Sequence, residues 1–152
     1  MFPFLRKNNK FLTVEENHHV VEAIQQAEHQ TSGEIRVFVE SKCSYMDALD
    51  RAAEVFAKLQ MQKTAERNAV LIYIAVKDRQ LAIFGDEGIH KKVGDEYWNK
   101  VVKLMISHFS KDNIAEGLQH CVLDVGEALK THFPYNKDTD KNELPDDIVF
   151  GR

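Results

Sequence analysis

The 152-residue chain carries 24 acidic against 20 basic side chains, a formal charge of −4, and 43% hydrophobic residues. That composition excludes wholesale disorder, and the length suits one domain with a core of its own. With no net positive field, nucleic acid is not an expected partner.

The charge is uneven. Residues 1–12 hold Arg6, Lys7 and Lys10 and no acid, which reads as a basic N-terminal extension. Residues 134–152 hold five acids against three bases, which reads as an acidic, mobile tail. Cys43 and Cys121 are the only cysteines and form no Cys-x-x-Cys pair, so reduced thiols are expected. The opening Phe2-Pro3-Phe4-Leu5-Arg6-Lys7 places apolar residues before basic ones, the reverse of a signal peptide. No apolar run approaches the roughly 18 residues of a membrane span. A cytoplasmic protein without a membrane span is expected.

Thr13-Val14-Glu15-Glu16 is a capping-box pattern, and Val14, Val21, Ile24 and Ala27 recur behind it at helical spacing, predicting a helix over 13–30. Gly33 ends the connection, and Ile35, Val37 and Val39 alternate along a strand over 34–41. Ser44, with Asp47 three residues on, is placed to cap a helix over 45–61 whose stripe is Leu49, Ala52, Ala53, Phe56 and Leu59. Residues 69–77 are nearly all apolar and β-branched, the mark of a strand covered on both faces. A short polar turn, Lys77-Asp78-Arg79, leads to a strand over 80–85, so these two pair as a hairpin. After Gly85-Asp86-Glu87-Gly88, a turn around His90–Val93 and a helix over 95–110 are expected, with Trp98, Val101, Val102, Met105, Ile106 and Phe109 inward. Asp112 is placed to cap a last helix over 112–132, ending near Phe133-Pro134. In the tail, Ile148-Val149-Phe150 is an apolar patch fit to dock on its own domain or on a partner.

The order α-β-α-β-β-α-α predicts an α/β domain over 13–133: a small mixed sheet sandwiched between helices. A strand–helix–strand unit pairs its strands in parallel through a right-handed crossover, and the hairpin adds an antiparallel strand. The third strand then ends where the first two begin. Asp86 and Glu87 should lie beside Glu34 and Asn68, with Asp95 at the same end. Carboxylates and an amide oxygen are what a hard divalent cation requires, so calcium or magnesium is the expected ligand of these five. Like charges gathered there would repel one another in the ion-free protein. Asp86→Asn, as a surface-loop substitution, should abolish that binding and leave the fold intact, at a cost under about half a kcal/mol.

Gly33-Glu34-Ile35-Arg36-Val37-Phe38-Val39 resembles the first strand of TPM domains. Arg67-Asn68-Ala69-Val70-Leu71-Ile72-Tyr73-Ile74-Ala75 resembles their second, which typically begins Asn-Asn-Gly or Asn-Gly. Gln80-Leu81-Ala82-Ile83-Phe84-Gly85-Asp86-Glu87-Gly88-Ile89 is similar to their third strand and Gly-x-Gly turn, and Asn113-Ile114-Ala115-Glu116-Gly117-Leu118 to their closing helix. The likeness covers roughly residues 13–133. It implies a helix–sheet–helix fold with a ligand end where the loops meet. Some members are described as acid phosphatases or calcium binders, others as photosystem-repair or membrane-associated accessory proteins. Here Ala69 replaces the family's glycine, and Asp86-Glu87 widens the Gly-x-Gly turn.

Covalent phosphoryl transfer through cysteine needs an arginine in a phosphate-cradling loop, yet Leu49 and Glu127 stand six positions after Cys43 and Cys121. No Gly-x-x-x-x-Gly-Lys loop is present. Only water activated by a metal on Asp86, Glu87 or Asp95 would serve a hydrolase. His18 and His19 with Glu15, Glu16 and Glu22 match Glu-x-x-His twice, but a di-iron site needs such motifs on separate helices of a bundle, so a solvated face is expected. His108, His120 and His132 show no ligand spacing, and His90 adjoins the candidate loop. Residues 138–149 lack the glycine and the twelfth-position acid of an EF-hand. Two functions stand: a non-catalytic accessory module that binds a divalent cation and a protein partner, or a metal-dependent, acid phosphatase-like hydrolase of phosphomonoesters. A scaffold that binds no ion is a third.

Overall fold

Thr13 opens helix α1, Val14–Glu28, through the predicted capping box: its hydroxyl accepts from the Glu16 amide at 3.0 Å, and the Glu16 carboxylate accepts from the Thr13 amide at 2.8 Å. The computed structural model describes residues 12–43, 45–109, 113–136, 145 and 147–151. Val20, Ala23, Ile24 and Ala27 make the buried face of α1. Val14 is exposed instead, because it shares the wheel position of half-buried Val21 at the margin of that face.

Four strands build one sheet in the order β3-β2-β1-β4. β1, Glu34–Glu40, and β2, Ala69–Ala75, run parallel, and β3, Gln80–Gly85, runs antiparallel to β2. β4, Val149–Phe150, lies parallel to the outer side of β1. The apolar patch of the tail thus docks on its own domain: Ile148 is buried in the core, and the Gly151 amide donates to the Val39 carbonyl at 2.7 Å. The EF-hand-like segment 138–143 lies outside the described residues.

Helix α2, Ala48–Lys58, covers the face of the sheet that carries Leu71, Tyr73 and Ala82. Asp47 caps it, accepting from the Asp50 amide at 2.8 Å; Ser44, the expected cap, lies outside the described residues. Its buried stripe is Ala52, Val55 and Phe56, rotated from the expected one so that Leu49 is 54% exposed. On the opposite face α1, α3 (Glu87–Phe109) and α4 (Ile114–His132) enclose the larger core around Val37, Ile72 and Leu118. α3 begins at Glu87, eight residues before the expected start at 95, and includes the predicted His90–Val93 turn. Gly94, at φ 79° and ψ 171°, interrupts it in a backbone region that glycine enters without steric cost. Asn113 precedes α4 without a side-chain cap, and the expected cap Asp112 lies outside the described residues. No helix among the described residues is long and apolar enough to cross a membrane.

Candidate functional site

Four of the five expected residues, Glu34, Asn68, Asp86 and Glu87, come to one end of the sheet. Glu34 pairs with Ala69 and Val70 with Gly85, so the Asp86 amide donates to the Ala69 carbonyl at 2.9 Å and the Glu34 amide to the Asn68 carbonyl at 3.4 Å. Asp86 begins α3: its carbonyl accepts the first i→i−4 bond of the helix from the His90 amide, and its Oδ1 accepts from the Glu87 amide, a first-turn donor otherwise without an intrahelical partner. That capping role explains why a segment read as a turn is helical.

The electrostatics differ from the expectation of mutually repelling acids. Arg67 clamps Asp86 with two bonds, Nε to Oδ2 at 2.6 Å and Nη2 to Oδ1 at 2.9 Å, and reaches Glu87 Oε1 at 2.7 Å with Nη1. An internal guanidinium neutralises the loop. The bond to Asp86 is the largest influence raising the Arg67 pKa above its ordinary value, partly opposed by desolvation. Asp86 is 4% exposed, so it is no surface-loop residue, and Asp86→Asn would disturb a clamp and a helix cap together.

Asn68 is also buried. Its Nδ2 donates to Ser32 Oγ at 3.2 Å, and Ser32 donates to Glu66 at 2.9 Å, while Asn68 Oδ1 has no hydrogen-bond partner. Glu34 is buried too. Asp95, beyond the Gly94 break, belongs to a different arrangement: it faces His90 Nε2 at 3.5 Å, and His90 Nδ1 accepts from the Trp98 indole at 3.0 Å. Among the described residues, no three of His, Cys, Asp and Glu form a group that could hold a metal ion. A groove of about 730 Å³ runs from Asp86, Glu87 and Asp95 along β3, between Leu49 of α2 and Trp98 and Val102 of α3.

The sequence profile of the TPM domain matches residues 5–128. The chain belongs to the TPM domain family. No curated protein matches it. Among solved structures, this TPM domain is similar to the BA42 protein of the psychrophilic bacterium Bizionia argentinensis, at 43% identity and a TM-score of 0.85, over 93% of this chain and 96% of that one. The N-terminal domain of a P. gingivalis protein matches at 18% identity and a TM-score of 0.66, over 87% of this chain and 91% of that one. The N-terminal domain of the cg2496 protein of Corynebacterium glutamicum matches at 14% identity and 0.62, over 78% and 74%. The last two likenesses concern the fold alone.

Two ion pairs of this TPM domain carry no signal in the sequence. Strand directions set Arg67 beside the Gly85–Gly88 loop, but nothing in its spacing names Asp86, nineteen positions away, as its partner. At the other end of β1, buried Glu40 accepts from Arg51 Nε at 2.9 Å and Nη2 at 3.0 Å, and from the Tyr73 hydroxyl. Burial, and then that bond to Glu40, raise the Tyr73 pKa. His18 meets Glu22 on an exposed helix face, as the solvated reading predicts.

Proposed function

We propose that this TPM domain is a non-catalytic binding module that takes a divalent cation, calcium or magnesium, at the loop end of its sheet. The observation that carries the reading is Asn68 Oδ1, a buried amide oxygen without a partner, one residue from the arginine that clamps Asp86. An orphaned buried acceptor is costly to keep, and a cation bound to it would recover that cost. In the ion-free protein Arg67 supplies the positive charge. A cation binds by drawing Asp86 and Glu87 from Arg67 while the Arg67 side chain, 42% exposed, turns to solvent. Glu34 flanks the site from β1, and Asp95, which faces His90 across 3.5 Å, lies outside the ligand set. Calcium tolerates such an irregular set better than magnesium, which demands octahedral geometry.

The test is a calcium and magnesium titration followed by thermal unfolding and by the backbone amides of residues 67, 68 and 86–88. At tenfold excess over Kd, binding to the folded state alone stabilises by about 1.4 kcal/mol. That corresponds to a rise of roughly 3–6 °C. Calcium should give the larger shift, and Glu87→Gln, at a half-exposed position, should reduce it without unfolding the domain. Unchanged melting and unchanged loop amides at 10 mM calcium would defeat the cation reading. Metal-dependent turnover of an aryl phosphate would defeat the non-catalytic one and favour a phosphatase-like hydrolase.

A further inference from the structure

We propose that the outer edge of β3 accepts an extended, basic peptide segment as an added strand. β3 ends the sheet, and no described element pairs with its outer side. In an antiparallel pair, residues alternate between exchanging both backbone bonds with the partner and turning both groups away. The bond from the Asp86 amide to Ala69 sets the phase, so Gln80, Ala82 and Phe84 bond to β2 while Leu81, Ile83 and Gly85 turn N–H and C=O to the open edge. Edges of this kind are usually blunted by a charge, a proline or a bulge. Gln80-Leu81-Ala82-Ile83-Phe84-Gly85 contains none, and its six residues pair with β2 in unbroken register.

The edge is recessed rather than bare. α2 and α3 lie on opposite faces of the sheet and straddle β3, with exposed Leu49 on one flank and half-buried Val102 on the other. A single strand enters a groove of about 730 Å³, whereas a second copy would bring its own flanking helices against these. Its apolar side chains meet Leu49 and Val102. Charge selects a basic segment: Asp86, Glu87 and Asp95 line the groove, and among the described residues no lysine or arginine does. Arg67 offsets the buried Asp86 and bonds one oxygen of Glu87, which leaves the other Glu87 oxygen and Asp95, on side chains 53% and 87% exposed, to meet basic side chains near Gly85. Main-chain bonds then supply affinity, and the flanking pockets and acids supply selectivity.

The probe is an end-blocked hexapeptide with a lysine at each end and four valines between, so that apolar side chains reach both flanks, titrated in metal-chelated buffer so that the result is independent of any cation site. The expected result is amide shifts and slowed hydrogen exchange at Leu81, Ile83 and Gly85, with weaker binding as salt is raised. A peptide N-methylated at alternate residues, which keeps the side chains but loses the donors, should bind about tenfold more weakly. Leu49→Lys, an exposed substitution, should also weaken binding, and a peptide with glutamate for lysine should not bind. No shift at millimolar peptide would overturn the proposal. So would equal binding of the N-methylated peptide, or protection of these amides that grows with protein concentration alone, which would assign the edge to a second copy.

Discussion

Gly88 is the residue on which the loop end of the sheet turns, and replacing it with alanine sets two effects of opposite sign against each other. It lies in the first turn of α3, where alanine is favoured over glycine by up to about 1 kcal/mol. Its amide, however, donates to the Arg67 carbonyl at 2.8 Å, and a Cβ there would stand 2.2 Å from the Glu66 carbonyl oxygen and 2.6 Å from that of Arg67. Both obstacles are backbone, so no side chain can rotate away. Overpacking of this kind costs about 1–3 kcal/mol, and loss of the amide bond costs about 1 more. The net expectation is destabilisation by about 1–3 kcal/mol, a fall in Tm of roughly 3–10 °C for a chain of this size. Gly94→Ala is the control: nothing lies within 4 Å, but φ of 79° with ψ of 171° penalises any side chain by about 1–3 kcal/mol. Thermal unfolding by circular dichroism, with amide shifts at Arg67 and Asp86, separates the two, since only Gly88→Ala should move those amides. A Gly88→Ala protein that melts at or above the wild-type temperature would refute the argument, because helix propensity would then outweigh the contact.

Three further outcomes are expected. Tyr73→Phe removes the hydroxyl that donates to the Glu40 carboxylate and should cost about 1.5–3 kcal/mol in urea unfolding; an unchanged midpoint would show that Arg51 alone satisfies Glu40. Ile148→Ala should cost about 2 kcal/mol and speed exchange at the Gly151 amide, since burial of Ile148 holds β4 on β1; a loss of stability without faster exchange would separate the two. Burial holds the Tyr73 hydroxyl and the Cys121 thiol protonated above their ordinary values of 10.0 and 9.0. The unfolded chain then binds fewer protons at high pH. Stability present below pH 9 should fall as pH rises past those values, by about 1.4 kcal/mol per pH unit for each group ionised only when unfolded. A urea midpoint flat from pH 8 to pH 11 would contradict this.

The fold was legible where one pattern admits one structure. Ala69–Ala75, apolar at every position but for its tyrosine hydroxyl, has to be a strand covered on both faces, and the hairpin to Gln80–Gly85 follows from the short polar turn. Relative strand directions then placed Asp86 and Glu87 at the sheet end where Glu34 and Asn68 begin their strands. What was not legible was pairing between side chains. Asp86 reads as a turn acid because aspartate and glycine mark turns and helix caps alike, and only the long-range contact with Arg67 decides between them. Leu49 keeps the spacing of a buried stripe, yet its helix is rolled toward Val55, and that rotation depends on the strand beneath. The rings of His108 and His120, without ligand spacing in the chain, stack at 5.2 Å because the two helices that carry them run side by side.

The pairing of β4 with β1 bears on the order in which the domain assembles. More than a hundred residues separate Phe38 from Val149, whereas β2 and β3 meet across a short turn. Closing the longer loop costs more entropy and rewards the chain with only two residues of strand, so hairpin and crossover should form first. During that interval the outer side of β1 is an open edge rich in valine and phenylalanine, competent to pair with another nascent chain. The two-residue strand therefore acts as a late clasp. Its contribution should show less in equilibrium stability than in the yield of refolding at high protein concentration.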